Sequence, residues 1–236
     1  DLIQDQLYVG SYLLLSFLSF MPGVFLFFFK NVENVQEDSL KEGNVRNLKS
    51  IVLQPRFLQA ITAAAFAYAV MSFLMTATPL SMHVMENMSL KETGLVLQFH
   101  VVAMFLPSLI TGNLIKKYGH SAIIYGGVLF FFITVLISLF EQTYLNYMLS
   151  LIFLGLGWNF LFISGTSLVV LTYNKEEKFK VQGINDLIVF STMALASLSA
   201  GILLNSIGWK MMNIICIPFL ILIILVSFVA DKKSAS

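Results

Sequence analysis

Ionisable and amide side chains inside long apolar stretches are costly to keep, so they mark where this sequence could do chemistry. Asp186 is the one formal charge within the otherwise apolar run 181–204. Gln182, Asn185 and Asp186 fall at i, i+3 and i+4, on one face of a helix. Such a face suits a gate, or a site that binds and releases a coupled proton. It equally suits a helix-start network, because an acid in the first turn complements the positive end of the helix dipole, or an ion pair with Lys180. His100 lies inside another apolar run, where a neutral imidazole can hydrogen-bond a substrate, carry a proton, or simply satisfy a neighbouring helix. Asn159, with Trp158 beside it and Thr166 seven residues on, offers an amide and an indole to the polar and aromatic groups of a ligand. The alternative for Asn159 is a hydrogen bond that ties two helices together. Thr76 shares a face with Pro79 and His83, and completes the candidate binding set.

None of these groups assembles into a recognisable enzyme. An intramembrane protease needs paired aspartates, Ser with His, or HExxH, and the sequence has one intramembrane acid and three scattered histidines. No Gly-rich phosphate loop with Lys and Ser/Thr is present, and one Cys with dispersed His makes no metal site. Neither catalysis nor a cofactor is expected. A net charge of +1 argues against a nucleic-acid partner.

The elements that must position these residues are membrane spans. Of 236 residues, 58% are hydrophobic and 11% charged, far from the roughly 25% charged of a soluble domain. Charges are absent from 7–29, 57–85, 93–115, 121–140, 144–174 and 211–230, and only Asp186 interrupts 181–204. Each run matches the roughly 20 helical residues that cross a bilayer. The reading is an all-α polytopic membrane protein with seven transmembrane helices. Twelve of the 14 Lys and Arg fall in the loops of one side, leaving Lys91 and Lys210 on the other. The positive-inside rule then puts the N-terminus outside and the C-terminus in the cytoplasm. The chain divides into 1–29, an outer segment with one helix; 30–56, a polar linker; 57–230, a six-helix bundle; and 231–236, a tail. It starts at Asp1 with no signal-peptide pattern, which reads as beginning part-way through a larger protein.

One helix before a long linker and six after it is what twelve spans leave when the first five are removed. The run Gly112-Asn-Leu-Ile-Lys-Lys-Tyr-Gly119-His120 resembles the inner-loop motif of the major facilitator superfamily, in its second, weaker copy. Gly112, Leu114 and Gly119 match, whereas Lys116 stands at the acidic position, beside Lys117, and His120 at the arginine position. Gly112 would allow close helix contact, and Gly119 a turn needing positive φ. The stretches 75–82, 98–112, 154–162 and 180–190 are similar to a mostly uncharacterised bacterial branch of that superfamily. The resemblance implies helices six to twelve of a facilitator in the bacterial inner membrane. Its work would be alternating-access transport of a small solute, ordinarily proton coupled, with the missing N-terminal half as partner and a midplane site near Asn159. A non-transporting membrane protein or a degenerate gene product is the alternative.

Overall fold

The computed structural model describes residues 9–28 and 46–235. The outer segment before residue 9 and most of the expected linker, 30–45, lie outside the described residues. Among the described residues every element is a helix. The chain falls into two units, 1–44 and 45–236. In the first, α1 spans Val9–Phe28, 20 apolar residues with Pro22 inside and side chains exposed along nearly the whole length. At 1.5 Å per residue it is about 30 Å long, the depth of a bilayer core.

The second unit begins with a short helix, α2 (Leu48–Val52), that stands within the expected linker and buries Ile51. It continues with α3 (Pro55–Pro79), α4 (Leu90–Phe105), α5 (Ser108–Tyr118), α6 (His120–Ser138), α7 (Tyr144–Val170) and α8 (Lys178–Ala235). Local chemistry sets most of the boundaries. Pro55 opens α3 at its first position, where a missing N–H costs nothing. Pro79 ends it, and the chain runs on as a π-helical turn, Leu80–Met85. Ser89 and Glu92 form a reciprocal capping box on α4, and Thr143 caps α7. Pro107 separates α4 from α5, which together make one span. Gly119 turns α5 directly into α6 at φ 82°.

A straight α8 would be about 87 Å long, nearly three bilayer cores. Gly208, at φ 76° and ψ 169°, breaks it into arms 178–207 and 209–235, each long enough to cross once. Counting the arms separately gives the seven spans that the charge pattern predicts. The second arm runs as helix to Ala235, so residues 231–235 of the expected tail continue the last helix.

α7 stands at the centre of the bundle, and three of its glycines admit three neighbours. A Cβ at Gly155 would lie 2.7 Å from the His100 carbonyl oxygen on α4. One at Gly157 would run into the Phe131 ring on α6, and one at Gly165 would lie 2.7 Å from the Ala60 carbonyl oxygen on α3. Spans gain little from apolar burial in lipid, so backbone approach through small residues supplies the packing instead. Gly112 departs from the expectation of close helix contact: an added Cβ there meets nothing within 4 Å. The close contacts fall to the central helix, whereas Gly112 sits on the exposed face of α5.

Candidate functional site

Pro107 has no N–H to give, so the helical ladder is interrupted between α4 and α5. Asn159 reaches this break from α7. Its amide nitrogen donates to the Met104 carbonyl at 2.6 Å and to the Ser108 hydroxyl at 2.7 Å. Its oxygen accepts from the Thr111 hydroxyl at 2.6 Å. Both N–H groups and the carbonyl of a fully buried amide therefore serve the broken helix. About two turns before Pro107, His100 is fully buried and its Nδ1 lies 2.7 Å from the Leu151 carbonyl oxygen. A carbonyl only accepts, so Nδ1 carries the hydrogen, and Nε2 is a buried nitrogen without a partner. His100 and Asn159 thus lie along one seam, where Gly155 lets α4 and α7 approach.

The remaining binding candidates separate. Thr166 donates to the Phe162 carbonyl of its own helix at 2.7 Å. Thr76 is exposed and meets Ser197, on the first arm of α8, at 3.0 Å. Trp158 is 4% exposed, and its indole N–H has no partner. It stacks on Phe162 with centroids 4.9 Å apart and planes 14° from parallel. Tyr68 meets Trp158 edge-on at 5.2 Å, Phe105 meets it at 5.8 Å, and Phe190 lies 6.1 Å from Tyr68. These five rings come from α3, α4, α7 and the first arm of α8. Of the set, sequence reading singled out Trp158; the other four share no spacing that would join them before the helices pack.

The polar trio Gln182, Asn185 and Asp186 occupies the start of the first arm of α8. Gln182 donates to the Tyr173 hydroxyl at 2.8 Å, and Asn185 donates to Asp186 at 3.1 Å. Asp186 is exposed and, among the described residues, has no ion pair to Lys180 or to any other cation. The motif residues Leu114, Lys116 and Lys117 lie along α5 ahead of Gly119, and Lys117 sits over the Tyr118 ring at 5.0 Å.

Two ion-pair networks at the Lys- and Arg-rich end escaped sequence reading, because their members look like ordinary loop charges. Arg46 grips Glu177 through Nε at 2.9 Å and Nη2 at 2.6 Å, and also donates to the Thr172 carbonyl at 3.0 Å. Glu177 also caps the Asn174 N–H at 2.8 Å. It lies in a 3₁₀ turn between the apolar runs 144–174 and 181–204. The guanidinium and the backbone N–H groups hold its carboxyl down to about 2. Arg56 pairs with Asp231 at 2.7 Å, and Ser121 and Tyr125 donate to the same carboxylate at 2.6 and 3.1 Å. That cluster joins the start of α3, the start of α6 and the end of α8.

A cleft of about 510 Å³ lies elsewhere, between α3 and both arms of α8. Its lining is apolar, and the hydroxyls of Thr192 and Ser199 are bonded to their own helix. It offers nothing that would orient a polar solute. Among the described residues no three of His, Cys, Asp and Glu gather as a metal centre requires.

The profile described as Major Facilitator Superfamily matches residues 63–236. The riboflavin transporter RfnT of Brucella anthropi is 36% identical over 224 residues, covering 95% of this chain and 56% of that protein. The uncharacterized MFS-type transporter YdeG of Bacillus subtilis is 26% identical over 217 residues, 87% of this chain and 50% of that protein. A second Bacillus subtilis MFS-type transporter, the uncharacterized YddS, is 30% identical over 151 residues, 63% of this chain and 34% of that protein. The chain spans about half the length, or less, of these curated relatives. A helical membrane bundle whose residues 63–236 match that profile, and whose relatives carry the same superfamily's label, has one assignment: the chain belongs to the Major Facilitator Superfamily.

Proposed function

We propose that this chain is the C-terminal part of a solute transporter of the bacterial inner membrane that works by alternating access. Its six-helix bundle would rock against an N-terminal half about a site between them. The observation that carries this reading is the ring cluster around Trp158, which has an unpartnered indole N–H and two exposed phenyl rings. The likeness to RfnT supports riboflavin as the first solute to test.

In this reading Trp158 and Thr76 face the solute. Asn159 and His100 hold the interrupted span against α7, and Thr166 caps a carbonyl of its own helix. Gln182, Asn185 and Asp186 form the gate, with Asp186 taking up the coupled proton. The Lys- and Arg-rich end lies in the cytoplasm, with α1 entering from outside. The bilayer and a small solute are the partners, together with the N-terminal half.

The test is uptake of riboflavin into proteoliposomes holding the protein that carries this chain, with and without an inward proton gradient. Saturable uptake that the gradient accelerates is expected. Riboflavin equilibrating no faster than in protein-free vesicles would defeat the reading of the solute. Absence of flux for any small solute screened would favour a non-transporting membrane protein.

A further inference from the structure

We infer that Tyr68, Trp158, Phe105 and Phe190 form a seat for a planar conjugated ring edged with carbonyl acceptors, of the flavin or pteridine class. The inference rests on the transport reading above and gives its site a chemistry. Tyr68 and Trp158 make the floor of the seat, edge to face at 5.2 Å. Phe162 backs the indole with a nearly parallel ring, and Ala64, Ala65 and Val189 pack behind Tyr68 and Phe162. The floor is therefore held on three elements. At its margins Phe105 is 59% exposed and Phe190 is 51% exposed, each in ring contact with one floor residue.

The polar groups decide what such a seat would hold. The Trp158 N–H is buried without a partner, a condition rare in folded proteins and costly to maintain. The Tyr68 hydroxyl makes no hydrogen bond among the described residues, and unlike the indole N–H it is not sealed off. A lipid acyl chain could cover the rings but would leave both donors unmet. A sugar or a polyol could meet the donors but would leave the ring faces unmatched. A conjugated heterocycle does both, because its faces stack on Phe and Tyr and its edge carbonyls accept from N–H and O–H. The exposed Phe105 ring, edge-on to the indole, would swing aside as the ligand enters.

The experiment uses the whole protein that carries this chain, with riboflavin, its bare ring lumichrome, and ribitol as probes. Stacking on electron-rich rings quenches flavin emission, so bound riboflavin and lumichrome should both lose fluorescence. Lumichrome should compete with riboflavin, and ribitol should not. Trp158→Phe keeps a ring but removes the donor, and should weaken riboflavin binding about tenfold. Phe105→Leu and Phe190→Leu change exposed rings, leave the fold intact, and should each weaken binding by about tenfold through lost stacking. Uptake unaltered by all three variants, or binding without quenching, would overturn the seat while leaving the transport reading in place. Quenched, variant-sensitive binding without uptake would do the reverse. If neither binding nor uptake occurred, both would fall. Rings sealed against the N-terminal half, so that no probe quenches while uptake proceeds, also overturns the seat.

Discussion

Gly119 and Gly208 adopt nearly the same backbone conformation, φ 82°, ψ 161° and φ 76°, ψ 169°, at two tight reversals of the bundle. Each joins the second and third spans of a three-span run: α3, α4–α5 and α6, then α7 and the two arms of α8. Three spans separate them, so they lie at opposite ends of the bundle, as an inverted repeat requires. This region of φ and ψ is essentially closed to residues with a Cβ. An added Cβ meets nothing within 4 Å at either position, so backbone strain is the whole cost of substitution. Gly119→Ala and Gly208→Ala should each destabilise the protein by about 1–3 kcal/mol. Gly112→Ala, in an exposed helix interior, should be neutral or stabilise by up to about 1 kcal/mol. Thermal unfolding in detergent separates the three. Equal effects at Gly112 and Gly208 would refute the backbone explanation.

Asn159 supplies a second prediction, because its amide completes the hydrogen bonding of a span that Pro107 interrupts. Asn159→Ala would leave the Met104 carbonyl and the Ser108 hydroxyl without this partner, at a cost of about 1–3 kcal/mol, while the Thr111 hydroxyl keeps the Pro107 carbonyl. Thr111→Val removes the bond to the Asn159 oxygen and should cost less. The double variant should fall short of the sum, because both changes break the same bond. A KM for uptake that stays put while stability falls would mark Asn159 as a positioning residue. A large rise in KM with stability unchanged would return it to the solute.

Much of this architecture is legible in the sequence. The charge-free runs locate the spans, and Gly119 announces its turn because few other residues tolerate that φ. The candidate site is legible only in part. Asn159 and Trp158 stand out as polar groups in an apolar run. Their uses differ, because one meets three partners across a helix break and the other meets none. Sequence spacing cannot show this, since the partners lie on other helices. Tyr68, Phe105 and Phe190 are lost among 22 phenylalanines and eight tyrosines until packing brings three helices to Trp158. Arg46 and Glu177, 131 residues apart, read as loop charges, and only the fold makes them a pair.

That pair carries a dependence on pH. The Glu177 carboxyl is held at about 2, against an ordinary value near 4.5. A depressed carboxylate contributes stability that is fully present above about 4.5 and is lost as the pH falls toward 2. The difference in thermal stability between wild type and Glu177→Gln should therefore be constant from pH 7 to pH 5 and shrink below it. Arg46→Gln should show the same convergence. A gap that persists unchanged to pH 3 would mean that shape, not charge, holds residues 46–54 to the turn before α8.

The proposed orientation is open to chemical labelling. Cys216 is buried and is the one cysteine in this sequence, so Cys216→Ser, with any cysteine elsewhere in the full protein also replaced, gives the background. Lys180→Cys then reports the start of the first arm of α8, and Lys210→Cys the start of the second, just past the Gly208 turn. In intact cells a membrane-impermeant maleimide should label position 210 and spare position 180. The reverse pattern would invert the topology and remove the gate from the cytoplasmic side.

Asp186 has the most exacting role in the proposed cycle. It is exposed at the start of its span, and its sole hydrogen-bond donor among the described residues is Asn185, with no cation to hold it charged. Asp231, by contrast, is held by Arg56 at 2.7 Å and by the Ser121 and Tyr125 hydroxyls. Asp186→Asn is nearly isosteric and permanently neutral. It should abolish accumulation driven by a proton gradient while preserving exchange of solute for solute, which moves no net proton. Loss of both activities would assign Asp186 to the gate itself, because closure rather than coupling would then depend on the charge. Gradient-driven accumulation that survives in Asp186→Asn would move the proton site to another group. His100, whose Nε2 is buried and unpartnered, would be the next to substitute.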